Sequence, residues 1–599
     1  MHRLSHLARY EEEETTLPLK EIVKRLMPLV KPHAKYFSAA IAGTMGRMAL
    51  NLAFPMLMGY LVDSALGGDF DELLWFSVIF FGCAVAYWFI NYTRIYLTSL
   101  AGQRFIRDLR DKLFRKLLKV KIAFLRRGEV GRLVSKVMND VDVIGDTFTS
   151  GLIDMFADIA AMSGAFVIMV FISPQLTLAI LPLIPAIFLI NYYLAVRARE
   201  TFRKARKAIA KVTAKVEQEI SGAAVVKTYV QRRKIEEREF EKVSREYVST
   251  NVEATKVVSS VNPSMSVIRA IGVAIILHIG GNLIQVGEIT VGTMVTFYGY
   301  LDLFFRPLQT LAIFFNSIQS ALAAAERVTE LLKVDEEESG VLRKPINGLV
   351  EFKEVYFGYE EELPVIKGVS LKVKPGEMVA IVGPTGGGKS TLAKLLLRFY
   401  DPWSGRILLD GIDVDRYDLS FLRKVIAYVP QDPAVISGRV YDNLVAGRPD
   451  MGKEEVDRLL KELSVDGLFD ALPGGLEAEI VEEGRNLSKG QRQVISLVRA
   501  LISNPRVLVL DEATSNVDVV TELKIYKGLK KLIKKRNIST IVIAHRLIAI
   551  TDANRIYVID DGKVVEEGTH EELLAKGGLY AKLWRAQSPE VILSLSESN

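Results

Sequence analysis

EMVAIVGPTGGGKST, from Glu377 to Thr391, is the stretch on which the fold turns. Glu377 to Val382 is apolar enough to read as a short buried strand, and Thr391 to Arg398 (TLAKLLLR) reads as a helix. Between them a glycine-rich loop ends in Lys and Ser, the pattern in which backbone N–H groups wrap phosphates at a helix N-terminus. Gly383, Pro384, Thr385, Gly386, Gly387, Gly388, Lys389, Ser390 and Thr391 are therefore phosphate-site candidates. Lys389 is placed to reach the β- and γ-phosphates, and the Ser390 hydroxyl to hold Mg²⁺.

Downstream, Val507 to Leu510 form an apolar run that suits a central parallel strand and ends in two acids, Asp511 and Glu512. Catalytic groups in such sheets sit at the carboxyl ends of strands. Asp511 suits the Mg²⁺ shell, and Glu512 suits the base that orients or deprotonates an attacking water. Taken alone, such an acid pair is a solvated strand end; after a phosphate loop the catalytic reading leads.

The phosphate loop, LSKGQ (Leu487 to Gln491) just before a helix, and DEATSNVD (Asp511 to Asp518) together resemble the ATP-binding cassette exporters, over nearly the whole chain. LSKGQ discriminates, because many phosphate-loop proteins carry the other two. It departs from the commonest form, LSGGQ, at Lys489. The resemblance implies that Ser488, Gly490 and Gln491 cap the γ-phosphate of ATP bound to an opposite subunit. It implies further that Tyr359 stacks on adenine, and that Gln431 reaches Mg²⁺ and the attacking water. His545 is the implied switch histidine on the γ-phosphate, and Asp518 lies in a loop crossing the dimer interface. Glu482 to Arg485 (EEGR) falls where the family signals to the partner's membrane domain. Glu512 and His545 are both present, so the chain does not read as the degraded half of an asymmetric pair.

Outward from the motifs, 599 residues exceed one compact domain, and the composition is split. Six apolar segments have spanning length: about Tyr36 to Val62, Leu73 to Leu97, Leu152 to Ile172, Leu176 to Val196, Val257 to Leu283 and Val291 to Ile318. Pro55, Pro182, Pro185, Pro263 and Pro307 mark expected kinks. The connection from Asp63 carries acids and no Lys or Arg, whereas the one after the second span holds twelve basic residues between Arg104 and Lys136. The positive-inside rule places the latter, both termini and the ATPase on the cytoplasmic side. Ala101 to Gly151 and Arg197 to Thr255 are long enough to continue the helices as a four-helix cytoplasmic extension. Ile122 to Arg127 and Gly222 to Tyr229 are its expected coupling helices.

Leu17 to Val30 reads as an amphipathic helix in the cytoplasmic interface, and the first residues lack a signal-peptide apolar region. Cys83 is the one cysteine, so no intramolecular disulfide is expected. The net charge of +6 is modest, and flanking a membrane explains the basic run better than nucleic acid does. Arg47, Arg94, Asp154, Asp158, Arg269, His278, Asp302 and Arg306 are ionisable residues in spans. Arg47, Asp302 and Arg306, beside Phe304 and Phe305, are the preferred cavity candidates.

The expected organisation is an N-terminal segment 1–34, a transmembrane domain 35–328, a linker 329–347, an ATP-binding cassette domain 348–588 and a tail 589–599. The fold class is a six-span helical domain fused to an α/β phosphate-loop ATPase with an antiparallel β subdomain and a helical subdomain. The expected function is ATP-driven export, with Mg²⁺, of a hydrophobic or amphipathic drug, lipid or peptide. The chain would act as one half-transporter beside a second, in contact with membrane lipids. An ATP-gated channel and a soluble ATPase of DNA repair or translation are the alternatives. An intact Glu512 and the absence of a regulatory insertion count against the first, and six spans against the second.

Overall fold

The computed structural model describes residues 19–127, 130–147, 151–360, 362–470, 472–511, 519–543 and 550–587. Contacts divide the chain into one unit of residues 1–118 and 129–334 and another of residues 119–128 and 335–599.

The first unit is helical throughout its described residues. Five of its helical stretches are long and apolar enough to cross a membrane, from Lys24–Gly67 to Gln231–Gln285. The last helix, Val291–Lys333, has its apolar stretch at Val291–Phe305. Helix Phe70–Leu117 has 48 residues and Leu183–Ser221 has 39, where a bilayer core needs only about 20. The surplus carries the charged residues expected of the cytoplasmic extension. There Leu183–Ser221 and Val230–Ser259 are tied together by Lys215, which pairs with Glu236 and with Glu239 at 2.6 Å, and by Lys211 with Glu246 at 2.7 Å. Both segments expected to be coupling helices are helical, Ala223–Thr228 in this unit and Ile122–Arg127 in the second.

Prolines act as polar chemistry requires. Pro55 lies inside Ala34–Gly67, and the carbonyl of Leu52 accepts the Tyr300 hydroxyl at 2.6 Å while that of Pro55 accepts the Thr296 hydroxyl at 3.1 Å. Neighbours thus supply hydrogen bonds beside a kink where lipid cannot. The fourth expected span is split: Pro174–Ile180 ends before Leu183–Ser221, at Pro182. Ala34–Gly67 also meets Val291–Lys333 across small residues, since a Cβ added to Gly59 would lie 2.5 Å from the Gly292 carbonyl. Asp63 closes that seam, accepting the Gly292 N–H at 2.7 Å and the Thr290 hydroxyl at 2.6 Å.

The second unit holds the sheets. Strands β1 (Val350–Phe357), β2 (Ile366–Val373), β4 (Ser404–Leu409) and β5 (Ile412–Asp413) form an antiparallel sheet in the order β2-β1-β4-β5. A six-stranded sheet runs β12-β11-β3-β10-β9-β6, with β3 at Met378–Val382, β6 at Ile426–Val429, β9 at Val507–Asp511, β10 at Ser539–Ile543, β11 at Arg555–Asp560 and β12 at Lys563–Gly568. β3, β9 and β10 are buried at every residue, which is why β3 reads as an unbroken apolar run, β9 does so up to Asp511 and β10 from Ile541; the edge strand β12 alternates. Strands β7 (Gly438–Arg439) and β8 (Glu479–Ile480) form a two-stranded antiparallel sheet, and helices Val440–Leu444, Lys453–Glu462 and Lys489–Ile502 make the helical part.

Candidate functional site: a nucleotide site at the strand ends of the ATPase unit

Parallel register brings the candidates to one edge. Ile543 of β10 pairs with Asp511 of β9 and with Ile381 of β3, and Val429 of β6 pairs with Leu510. The glycine-rich loop, Gln431 and Asp511 therefore leave the same sheet edge at neighbouring strand ends. Glu512 directly follows Asp511 and His545 lies two residues past Ile543, but both, with Asp518, lie outside the described residues.

The loop is shaped by backbone that side chains would obstruct. Gly388 adopts φ 94°, and a Cβ on Gly383 would meet the Ile559 carbonyl oxygen at 1.9 Å. Only glycine lets the chain turn there and still lead into helix Lys389–Leu396. Lys389, buried to 6% exposure, folds its ammonium onto the loop, donating to the Gly383 and Pro384 carbonyls at 2.8 and 2.7 Å. The Ser390 hydroxyl donates to Asp511 Oδ1 at 2.9 Å. Oδ2 of the same carboxylate accepts the Tyr428 hydroxyl at 3.0 Å. Tyr428 is thus a site residue that the sequence reading passed over. Its signal was the strand preceding Gln431, whose register with β9 a sequence does not display.

Tyr359 is set by an aromatic cluster, edge-on to Phe357 and Tyr400 at 5.2 and 5.1 Å between ring centres. Its hydroxyl lies 3.1 Å from the Thr391 hydroxyl, and Lys394 donates to it at 3.3 Å. The ring is anchored beside the helix that follows the phosphate loop.

Ser488 is the N-cap of helix Lys489–Ile502, with its hydroxyl accepting the Gln491 N–H at 3.1 Å. Gln491 completes a capping box, accepting the Ser488 N–H at 2.9 Å and donating to the Leu468 carbonyl at 3.2 Å. Gln491 therefore fastens its own helix, while Ser488 stands exposed at the positive end of a 14-residue dipole. The same helix carries Arg499, whose guanidinium bonds the Asn443 and Ala434 carbonyls at 2.9 and 3.0 Å. Burial lowers its pKa from the ordinary value. Arg499 so ties the segment just after Gln431 to the helix that begins at Ser488.

In the first unit two of the three preferred cavity residues, Arg47 and Asp302, carry ion pairs. Asp154 receives Arg94 at 2.7 Å and Arg47 at 3.7 Å on one oxygen. Asp302 pairs with Arg269 at 2.7 Å. Phe304 and Phe305 are buried core residues rather than exposed lining, with Phe304 packed on Phe166. The side chain of Arg306 lies outside the described residues.

Comparison with known proteins bears on this arrangement. Residues 37–308 match the family described as the ABC transporter transmembrane region, and residues 366–515 match ABC transporter. An uncharacterized ABC transporter ATP-binding protein of Bacillus subtilis is 36% identical over 575 residues, 94% of each chain. A Staphylococcus aureus protein named as a multidrug export ATP-binding/permease protein is 34% identical, covering 95% of this chain and all of that one. The solved structure of a bacterial Atm1-family ABC exporter with ATP bound superposes with a TM-score of 0.76 at 28% identity, over 93% of this chain and 98% of the other. With ATPase and membrane region in one polypeptide, the chain belongs to the ABC transporter family as an ATP-hydrolysing, multi-pass membrane exporter whose ATPase domain faces the cytoplasm.

Proposed function

We propose that two copies of this chain, each with six spans, sandwich ATP between the Lys389 loop of one and the Ser488 segment of the other. Closure drives export of a hydrophobic or amphipathic substrate. The observation that carries the reading is the exposed helix N-terminus at Ser488, whose capping box uses only the Ser488 and Gln491 N–H groups and leaves the Lys489 and Gly490 N–H groups outside it, an end that suits an anionic phosphate.

Each residue then has a chemical task. The loop N–H groups and Lys389 hold the phosphates, and Tyr359 packs on the base. Glu512 takes the proton of the attacking water, Gln431 orients that water, and His545 contacts the γ-phosphate. Ser390, Asp511 and Gln431 offer only oxygen donors, and the Ser390 hydroxyl already meets the Asp511 carboxylate at 2.9 Å, which suits a hard cation. Bound there, Mg²⁺ neutralises charge on the β- and γ-phosphates. ATP can drive the cycle only by binding the closed pair more tightly than the open one.

The test is Glu512→Gln in the purified chain reconstituted in lipid. ATP binding should persist while hydrolysis falls by about a hundredfold or more; unchanged turnover removes Glu512 as the base. Stimulation of wild-type hydrolysis by a panel of lipids, dyes and peptides then identifies the substrate class.

A further inference from the structure

Two stretches of chain leave membrane helices for the ATPase unit. Lys119 follows closely on helix Phe70–Leu117, and Asp335 follows closely on Val291–Lys333. The two are joined to each other: the Glu337 N–H donates to the Lys119 carbonyl at 2.8 Å, and Val120 and Glu336 form an antiparallel bridge. One side chain then takes hold of this junction. The Arg423 guanidinium meets both oxygens of the Glu337 carboxylate, at 2.7 and 2.9 Å. It also donates to the Leu397 and Arg398 carbonyls at 3.3 and 3.1 Å, and it lies over the Phe399 ring at 5.2 Å.

Such a planar fork fixes direction as well as distance, which a lysine ammonium does not. Arg423 sits on helix Leu419–Val425, which passes directly into β6, and β6 ends two residues before Gln431. Asp418 caps that helix by accepting the Phe421 N–H at 2.9 Å, so the short helix is held at both ends. Gln431 is thereby linked through one strand and one short helix to the paired exits.

We propose that Glu337 and Arg423 are positioning residues forming a coupling clasp. They make the ATPase move the exits of helices Phe70–Leu117 and Val291–Lys333 as a single piece, in step with the nucleotide at Gln431. The inference rests on the ATP-driven cycle proposed above.

The experiment uses the full chain in lipid nanodiscs with Cys83→Ser and a spin label on Asp71→Cys, an exposed position at the start of helix Phe70–Leu117. The distance between labels on two copies is measured with and without ATP plus vanadate, alongside ATP turnover. Wild type should show an ATP-dependent change in distance. Glu337→Gln and Arg423→Lys should each hydrolyse ATP within about two-fold of wild type while losing most of that change. Glu337→Asp, which keeps the carboxylate facing Arg423, should retain most of it. A full distance change in Glu337→Gln and Arg423→Lys overturns the clasp. So does a parallel fall of turnover and distance change in those two single variants, which is the mark of a pair that only holds the fold. A wild-type chain that hydrolyses ATP with no change in distance overturns the underlying cycle, and the clasp with it.

Discussion

Lys389 and Asp154 show how differently a single charge is used in the two units. The Lys389 ammonium bonds two carbonyls of its own loop, and an ATP phosphate offers it a stronger, charge-assisted partner. Lys389→Ala should weaken ATP binding about tenfold or more, as expected for loss of about 1.5–3 kcal/mol from hydrogen bonds to a charged group. A titration with a fluorescent ATP analogue measures it, and an unaltered affinity would count against the phosphate-loop assignment. Asp154 instead holds Arg94, which is only 7% exposed. Asp154→Ala removes the counter-ion of that guanidinium and leaves it the Asn91 amide oxygen, a loss of roughly 1–3 kcal/mol because the Asp154 carboxylate is itself partly exposed, read as a lowered melting temperature in detergent. Ser390 and Asp511 were legible as partners because each sits next to an unmistakable landmark. Tyr428 was not, because its aim at Asp511 depends on which residue of β6 lies beside which residue of β9.

Helix starts carry much of the ATPase chemistry, and two of them can be tested. Ser488→Ala should remove about 1 kcal/mol of ATPase-unit stability by loss of the cap, whether or not nucleotide is present. If Ser488 also touches ATP, the variant should in addition lose the extra stabilisation that ATP gives, which thermal melts with and without ATP separate. Asp418 caps Leu419–Val425 and accepts from Ser420 and Phe421, and these bonds hold its carboxyl down at about 2, below its ordinary 3.8. A lowered acid pKa stabilises the fold at pH values above the ordinary pKa and ceases to do so as pH falls through the lowered one. The melting temperature should therefore decline between about pH 4 and pH 2, and Asp418→Asn, which keeps the cap, should flatten that part of the curve. β3 and β9 were legible to within about a residue because both of their faces are apolar, whereas β10 begins at Ser539 and Thr540, polar residues that hide its start. The break at Pro182 was legible only as a kink, since a proline marks where a helix is weakened but not whether its neighbours hold it together.

At the scale of the whole molecule, the shared-site geometry predicts complementation. Mix a Lys389→Ala chain with a Ser488→Ala chain. If each site draws Lys389 from one copy and Ser488 from the other, the mixed pair has one site with both lesions and one intact. If each site is built within one chain, neither is intact. Trapping of about one tightly held nucleotide per mixed pair, where either variant alone traps little, supports the shared site; no recovery on mixing refutes it. The division into a membrane part and an ATPase was readable because apolar spans and α/β periodicity are contrasting patterns. The junction between Lys119, Glu337 and Arg423 was hidden, because Lys119 and Glu337, more than 200 positions apart, meet there through backbone groups that any sequence possesses.

Helix Phe70–Leu117 gives this scale its mechanics. Forty-eight unbroken helical residues make a rod of about 72 Å, stiff over its whole length. A tilt of about 5° at its cytoplasmic end sweeps the far end sideways by about 6 Å, with no hydrogen bond of the rod broken. A transport stroke of several ångströms therefore needs no large motion where ATP is split, only a fixed pivot and a grip that does not slip.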